Sequence, residues 1–266
     1  MTTYLYGLLA MSLLAFLTWG LSIWRRDVSI VDNIWSLLFL AGAAVYVSAS
    51  QHYDWQAKLI LALLLIWALR LAAYLTWRNL GEPEDRRYRE IREKYQPHFA
   101  FKSLFIIFLF QAGLAWIISL PLWPALTVSH TLSGWDLAGI VLWSVGMLFE
   151  TVGDWQLARF KRLPANQGKV MDRGLWRYTR HPNYFGECLI WWGFYLFGLS
   201  AGAWWSIVSP LLMTWLLLKF SGVVMLEQTI SQRRPAYADY IARTNAFLPW
   251  RPHASADGDK LRGQDI

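Results

Sequence analysis

Apolar stretches long enough, or nearly long enough, to cross a bilayer recur along this chain, and they constrain its fold more than any other feature. They cover residues 4–24, 30–49, 59–77, 104–122, 137–152, 184–199 and 204–226. A helix needs about 20 mostly apolar residues to span the hydrocarbon core. Inside that core each backbone N–H and C=O must be satisfied within the segment, which favours helices for runs of this length. The expectation is an all-α, polytopic integral membrane protein with about seven transmembrane helices. Charged residues make up 16% of the chain, against roughly a quarter in soluble domains. The 18 Trp suit membrane–water interfaces, where an apolar ring carries a polar edge.

Charge then orients the helices. Basic residues cluster in alternate loops: Arg25 and Arg26; Arg78 through Lys102; Arg159 through Arg180; and Arg233 onward. The intervening loops hold only Lys58. Lys and Arg are retained on the cytoplasmic side, so the N-terminus is expected outside and the C-terminus in the cytoplasm. The net charge of +7 is thereby topogenic, and no nucleic-acid partner is expected. The single cysteine, Cys188, excludes an internal disulfide. The N-terminus lacks a basic n-region, so the first apolar run reads as a span and not as a signal peptide. Residues 1–252 form one membrane domain, and the polar residues 253–266 form a tail.

Polar residues within or beside the spans are the candidates for chemistry. Asp32 lies about one turn into the second span and Arg70 about two turns from the end of the third, at depths within roughly 5 Å. They could pair, or Arg70 could snorkel to the interface. An acid at that depth is a functional candidate by default. Asn33, Trp67 and Tyr74 could line the same cavity, although packing alone accounts for an aromatic residue in a span.

The densest polar stretch is GLWRYTRHPNYFGE, residues 174–187. Pro182 suits the first turn of a helix, which puts Asn183 and Glu187 on one face. Exposed N–H groups at a helix start favour an anion, and Arg173, Arg177 and Arg180 add phosphate-binding donors. The plainer reading is a capped helix beside a solvated basic loop. Glu150 and Asp154 share a face at the end of the fifth span, where two acids oppose the helix dipole. They form either a structural network with nearby arginines or part of a site. Asp85 and Arg87, in the loop EDRRY, are a solvated charge run or a cofactor clamp. Tyr237, Tyr240 and Arg243 lie on a C-terminal amphipathic helix. Five His and one Cys offer no zinc-type spacing.

Together these segments resemble the steroid 5α-reductase family, especially its bacterial membrane branch. GLWRYTRHPNYFGE, Glu150 and Asp154, EDRRY and the stretch from Tyr237 to Pro249 carry the resemblance, which covers nearly the whole chain. It implies a seven-helix membrane fold and NADPH-dependent reduction of the 4,5 double bond of 3-oxo-4-ene steroids, or of a related hydrophobic enone. It implies that residues 1–100 face the substrate and that 101–252 hold the cofactor. Asp154, Arg173, Tyr178, Asn183, Glu187, Tyr240 and Arg243 fall on cofactor positions. Glu150 stands where animal enzymes have Asn. Arg177, Arg180, His181 and Tyr184 of the motif, with Arg70, Asp85 and Arg87, complete the cofactor candidates. Animal enzymes place a Gln-Glu pair in span two and a Tyr in span three near the substrate carbonyl. Here those positions hold Val31-Asp32 and Trp67. The resemblance also implies the bacterial inner membrane, with the active site on its cytoplasmic side.

Conjugate reduction builds negative charge on the carbonyl oxygen, which an acid or oriented donor must meet. A buried, protonated Asp32 would serve, and the hydrophobic substrate would arrive through the surrounding lipid. The rival reading is a membrane methyltransferase using S-adenosylmethionine, of the isoprenylcysteine or phospholipid type. Such enzymes resemble the last third of this chain through the Arg-His-Pro and Tyr pattern. Glu150, Asp154 and EDRRY favour the reductase.

Overall fold

A computed structural model describes residues 1–50, 54–220 and 236–253, and these contain helices and no strand. The principal helices are α1 (Thr2–Arg25), α2 (Ile30–Ser48), α3 (Trp55–Asn79), α4 (Arg86–Lys94) and α5 (Phe99–Ile118). They continue with α6 (Leu122–Thr127), α7 (Gly134–Arg162), α8 (Pro182–Ser200), α9 (Val208–Trp215) and α10 (Ala236–Arg243). Local chemistry sets their ends. Arg26 closes α1 at φ 57°, its N–H turned back to the Ser22 and Ile23 carbonyls. Asp54 caps α3 by accepting the Ala57 N–H at 3.0 Å, and Asp85 caps α4 by accepting that of Arg87 at 2.9 Å. Each satisfies a donor that the first helical turn leaves without an intrahelical partner. Within α5, Leu104–Leu109 forms a π-helical turn.

Among the described residues five helices, α1, α2, α3, α5 and α7, are long and apolar enough to cross a membrane. The sixth expected span is a 19-residue helix, α8, but its glycines, tryptophans and polar first turn keep it outside that group. The seventh is helical from 204 to 220. Residues 221–226 of that stretch, Arg233 and Arg234, and the tail beyond His253 lie outside the described residues. The described residues thus hold five candidate spans of the about seven expected from apolar length. Glu150 and Asp154 are also repositioned: α7 continues to Arg162, so both lie within the helix and away from its negative end.

The chain divides into two compact units. Unit 1 comprises Met1–Leu137 with Phe194–Ser209; unit 2 comprises Ala138–Gly193 with the described part of Pro210–Ile266. In unit 1, α2 packs against α1 and α3, and α1 also packs on α5. Leu38, Phe39, Tyr46, Leu64 and Trp67 are fully buried there, whereas Leu5, Leu9, Leu13 and Phe16 of α1 face outward. At one end of the unit Asp136 accepts the Ser200 hydroxyl at 2.6 Å and the Ser133 N–H at 2.8 Å, with His130 Nε2 at 3.2 Å.

In unit 2, α7 and α8 meet along a seam of glycines. A Cβ on Gly186 would lie 2.5 Å from the Gly146 carbonyl oxygen and 2.6 Å from the Glu150 nitrogen. A Cβ on Gly193 would come within 2.8 Å of the Gly139 carbonyl oxygen. These are backbone atoms, which cannot rotate aside. Close approach of small residues is how membrane helices gain packing energy when lipid is as apolar as their side chains. Gly186→Leu is therefore expected to cost at least about 1–3 kcal/mol, the usual overpacking penalty. A lowered melting temperature in detergent is the expected result, and wild-type melting would show that the seam is slack.

Candidate active site

In unit 1 the membrane-end acid is the hub of a polar cluster. Asp32 Oδ2 accepts from Arg87 Nη2 at 2.8 Å, and Asp32 Oδ1 accepts from the Tyr88 hydroxyl at 2.6 Å. Arg87 also donates Nε to Asp85 Oδ1 at 3.0 Å. Gln111 of α5 donates its amide to the Tyr88 oxygen at 3.1 Å. Beside them, Asn79 Nδ2 donates to Asn33 Oδ1 at 2.8 Å. The helix cap at Asp85 thus aims the first turn of α4 at the start of α2. Both members of the Arg87–Asp32 pair keep some contact with solvent, at 33% and 22% side-chain exposure.

Both oxygens of Asp32 are engaged, one by a guanidinium and one by a phenol. The guanidinium on Oδ2 comes from Arg87 of α4, whereas depth in the membrane points to Arg70, which is half-buried on α3. Burial works against the Arg87 charge, but the neighbouring Asp32 and Asp85 more than offset it and raise its affinity for its proton. Burial, followed by the negative charge of Asp32, pushes the Tyr88 phenol well above its ordinary range. Tyr88 therefore remains a donor at neutral pH. Trp67 is fully buried and packs edge-on against Phe39 and Phe194. Tyr74 lies toward the C-terminal end of α3, with Arg78 5.9 Å from its ring centre.

Asp85 supplies a pH test. Burial pushes its carboxyl up, but hydrogen bonds and charge from Arg87 prevail and hold it below its ordinary value. A carboxyl depressed in the folded state contributes stability above its unfolded pKa of about 3.9 and loses it as pH falls through the folded value. Asp85→Asn should destabilise the protein at neutral pH and flatten the melting-temperature slope below about pH 4. An unchanged acid slope would remove Asp85 from the network.

In unit 2, α8 begins at Pro182, and Asn183 Nδ2 donates to Asp154 Oδ1 at 3.3 Å. Glu187 Oε1 accepts the Trp191 indole N–H at 3.1 Å. Glu150, Asp154, Glu187 and His181 are all buried, and His181 stacks on Tyr184 at 5.4 Å. Gly153 lies against Pro182, and its carbonyl accepts the Trp176 indole N–H at 3.0 Å. Gln156 accepts the Leu175 N–H at 3.0 Å, tying the motif loop to α7. Arg173, Arg177 and Tyr178 are exposed. Arg180 is buried, and its Nη1 donates to the carbonyls of Ile241, at 3.2 Å, and Thr244. The Tyr240 hydroxyl donates to the Trp176 carbonyl, and Arg243 pairs with Asp172 at 2.5 Å. Tyr237 is buried edge-on to Tyr240.

The family model described as "Protein of unknown function (DUF1295)" matches residues 18–244, a range that runs from before Asp32 to beyond Arg243. The chain belongs to the DUF1295 family. An uncharacterized protein of Schizosaccharomyces pombe is 27% identical over 277 aligned residues, which cover 92% of this chain and 79% of that protein. No solved structure matches the chain significantly.

For this DUF1295 protein, the structure gathers Asp32, Asp85 and Arg87 in unit 1. It gathers Glu150, Asp154, Asn183, Glu187 and the motif loop in unit 2. Trp67 belongs to the aromatic packing with Phe39 and Phe194, and Tyr74 sits beside Trp77 and Arg78. Tyr88, Gln111 and Asn79 escape sequence reasoning as site residues. Gln111 carries a signal, as the polar interruption of the apolar run 104–122. Tyr88 stands in plain view within EDRRY, but nothing local says that α4 folds back onto α2.

Proposed function

We propose that this DUF1295 protein is an integral-membrane, NADPH-dependent reductase of a hydrophobic enone, with 3-oxo-4-ene steroids as the model substrate class. The observation that carries the proposal is the Asp32–Arg87–Tyr88 cluster, which joins an acceptor to two strong donors at the end of an apolar helix. The resemblance of the motif at 174–187 supports the cofactor.

The chemistry needs donors where negative charge develops. Asp32 positions the Arg87 Nη2–H and the Tyr88 O–H, which on substrate binding would turn to the carbonyl oxygen while Arg87 stays anchored to Asp85 through Nε. Preorganised donors in a site shielded from water contribute about 3–4 kcal/mol each to such a transition state. Tyr88 can pass its proton as the enolate forms, and the nearby Gln111 amide would steady the phenolate oxygen.

Unit 2 offers a set of groups that fits the dinucleotide. The N–H groups opening α8 and the exposed Arg173 and Arg177 suit its phosphates. The carboxylates of Glu150, Asp154 and Glu187 are acceptors for carboxamide and ribose hydroxyl donors. NADPH, when bound, supplies the hydride that adds to the substrate β-carbon.

The test is a thermal-shift series on detergent-solubilised protein with NADPH, NADH and S-adenosylmethionine. NADPH should raise the melting temperature most, because the exposed arginines favour its 2′-phosphate. At a ligand concentration 100 times Kd the stabilisation is about 2.7 kcal/mol. Equal shifts with the two nicotinamide dinucleotides would remove the phosphate preference. A shift with S-adenosylmethionine alone would replace the reductase by the methyltransferase.

A further inference from the structure

In unit 2 the C-terminal segment lies along the loop that precedes α8. The Arg180 backbone N–H donates to the Asn245 carbonyl at 2.9 Å, and Thr179 Oγ1 donates to that of Phe247 at 2.8 Å. The Trp250 N–H reaches the Tyr178 carbonyl at 2.9 Å. Phe185 of α8 meets Phe247 edge-on at 5.9 Å. Arg180 stands in the middle of this ladder with 7% of its surface exposed. Ile241 and Thr244, whose carbonyls it meets, belong to the last turn and end of α10. A helix end presents carbonyls without intrahelical partners and a partial negative charge, both of which a guanidinium satisfies.

We propose that Arg180 is a positioning residue that clamps the C-terminal end of α10 across the motif loop and does not itself take a phosphate. The proposal rests on the NADPH reading above for its ligand, but its geometry belongs to the loop and α10 alone. A guanidinium that turned outward to an anion would leave the helix-end carbonyls behind. Arg173 and Arg177, exposed on the same loop, are candidates to discriminate the 2′-phosphate. Lysine keeps the charge of Arg180, but its ammonium ends a shorter, non-planar stem and does not place a nitrogen where Nη1 meets both carbonyls.

The experiment compares full-length wild-type, Arg180→Lys and Arg177→Gln proteins. It measures NADPH and NADH affinity together with amide hydrogen exchange in residues 240–250. Arg180→Lys should weaken both dinucleotides by the same factor, about tenfold or more, as displacement of a binding loop does. The NADPH-to-NADH ratio should be unchanged, and exchange in 240–250 should rise. Arg177→Gln should lower the ratio and leave exchange as in wild type. Loss of NADPH affinity alone in Arg180→Lys would make Arg180 a phosphate ligand and overturn the proposal. Unchanged exchange in that variant would overturn it equally. Wild-type protein that binds neither dinucleotide would sink the NADPH reading, and the exchange measurement would still decide the clamp.

Discussion

Asp32→Asn is expected to retain NADPH binding and to reduce a 3-oxo-4-ene steroid at least two powers of ten more slowly, the scale of a positioned acid–base group. The carboxylate holds Arg87 Nη2 at 2.8 Å and the Tyr88 hydroxyl at 2.6 Å. An amide in its place keeps one acceptor and turns a donor toward the other partner. One of the two groups then loses its alignment toward the substrate oxygen. The rival account is that the Asp32–Arg87 pair only fastens α4 to α2. Both side chains touch solvent, so breaking it should cost on the order of 1–2 kcal/mol, less than for a fully buried pair. In that account the double variant Asp32→Asn/Arg87→Gln recovers melting temperature and turnover together. In the catalytic account it recovers melting temperature while turnover stays low. Single-turnover reduction measured beside thermal melting separates them.

The second large effect lies in unit 2. Asn183→Ala and Glu187→Gln are each expected to weaken NADPH at least about tenfold, as the loss of a charged or buried hydrogen bond does. Gln is chosen at 187 because it can still accept the Trp191 indole N–H now held at 3.1 Å, which protects the fold of α8. Asn183→Ala removes the 3.3 Å link to Asp154 but leaves Pro182 to open the helix. Circular dichroism should be unchanged in both variants. Wild-type NADPH affinity in both would reduce the motif to a helix start.

Much of this is legible in the sequence wherever the signal is local. Apolar runs locate the helices, and Pro182 marks the start of α8. The 174–187 motif marks the polar cluster of Asn183 with the buried Asp154 and Glu187 in unit 2. The failures share a cause, which is that spatial neighbours far apart in sequence leave no local trace. Depth in the membrane suggests Arg70 as the partner of Asp32, but the cap at Asp85 redirects the chain and delivers Arg87 to it. Arg180 reads as a phosphate donor because the loop is basic. Its burial depends on the C-terminal segment packing on that loop, which no spacing within 174–187 reveals. Apolar length also places Glu150 and Asp154 at a helix end, since the polar continuation of α7 to Arg162 does not look like membrane.

The π-helical turn at Leu104–Leu109 has a consequence for how the unit 1 cluster can change. Such a turn is an α-helix carrying a residue more than its hydrogen-bonding register requires, and each added residue rotates the remainder of the helix by roughly 100°. Gln111 comes two residues after it, and its contact with Tyr88 depends on that phase. The contact therefore depends on segment length as well as on side-chain identity. A single-codon deletion within 104–109 would leave Asp32, Arg87, Tyr88 and Gln111 all in the sequence, yet swing the amide off the phenol. Relatives of this chain could thus differ in chemistry through insertion and deletion alone, with every site residue intact.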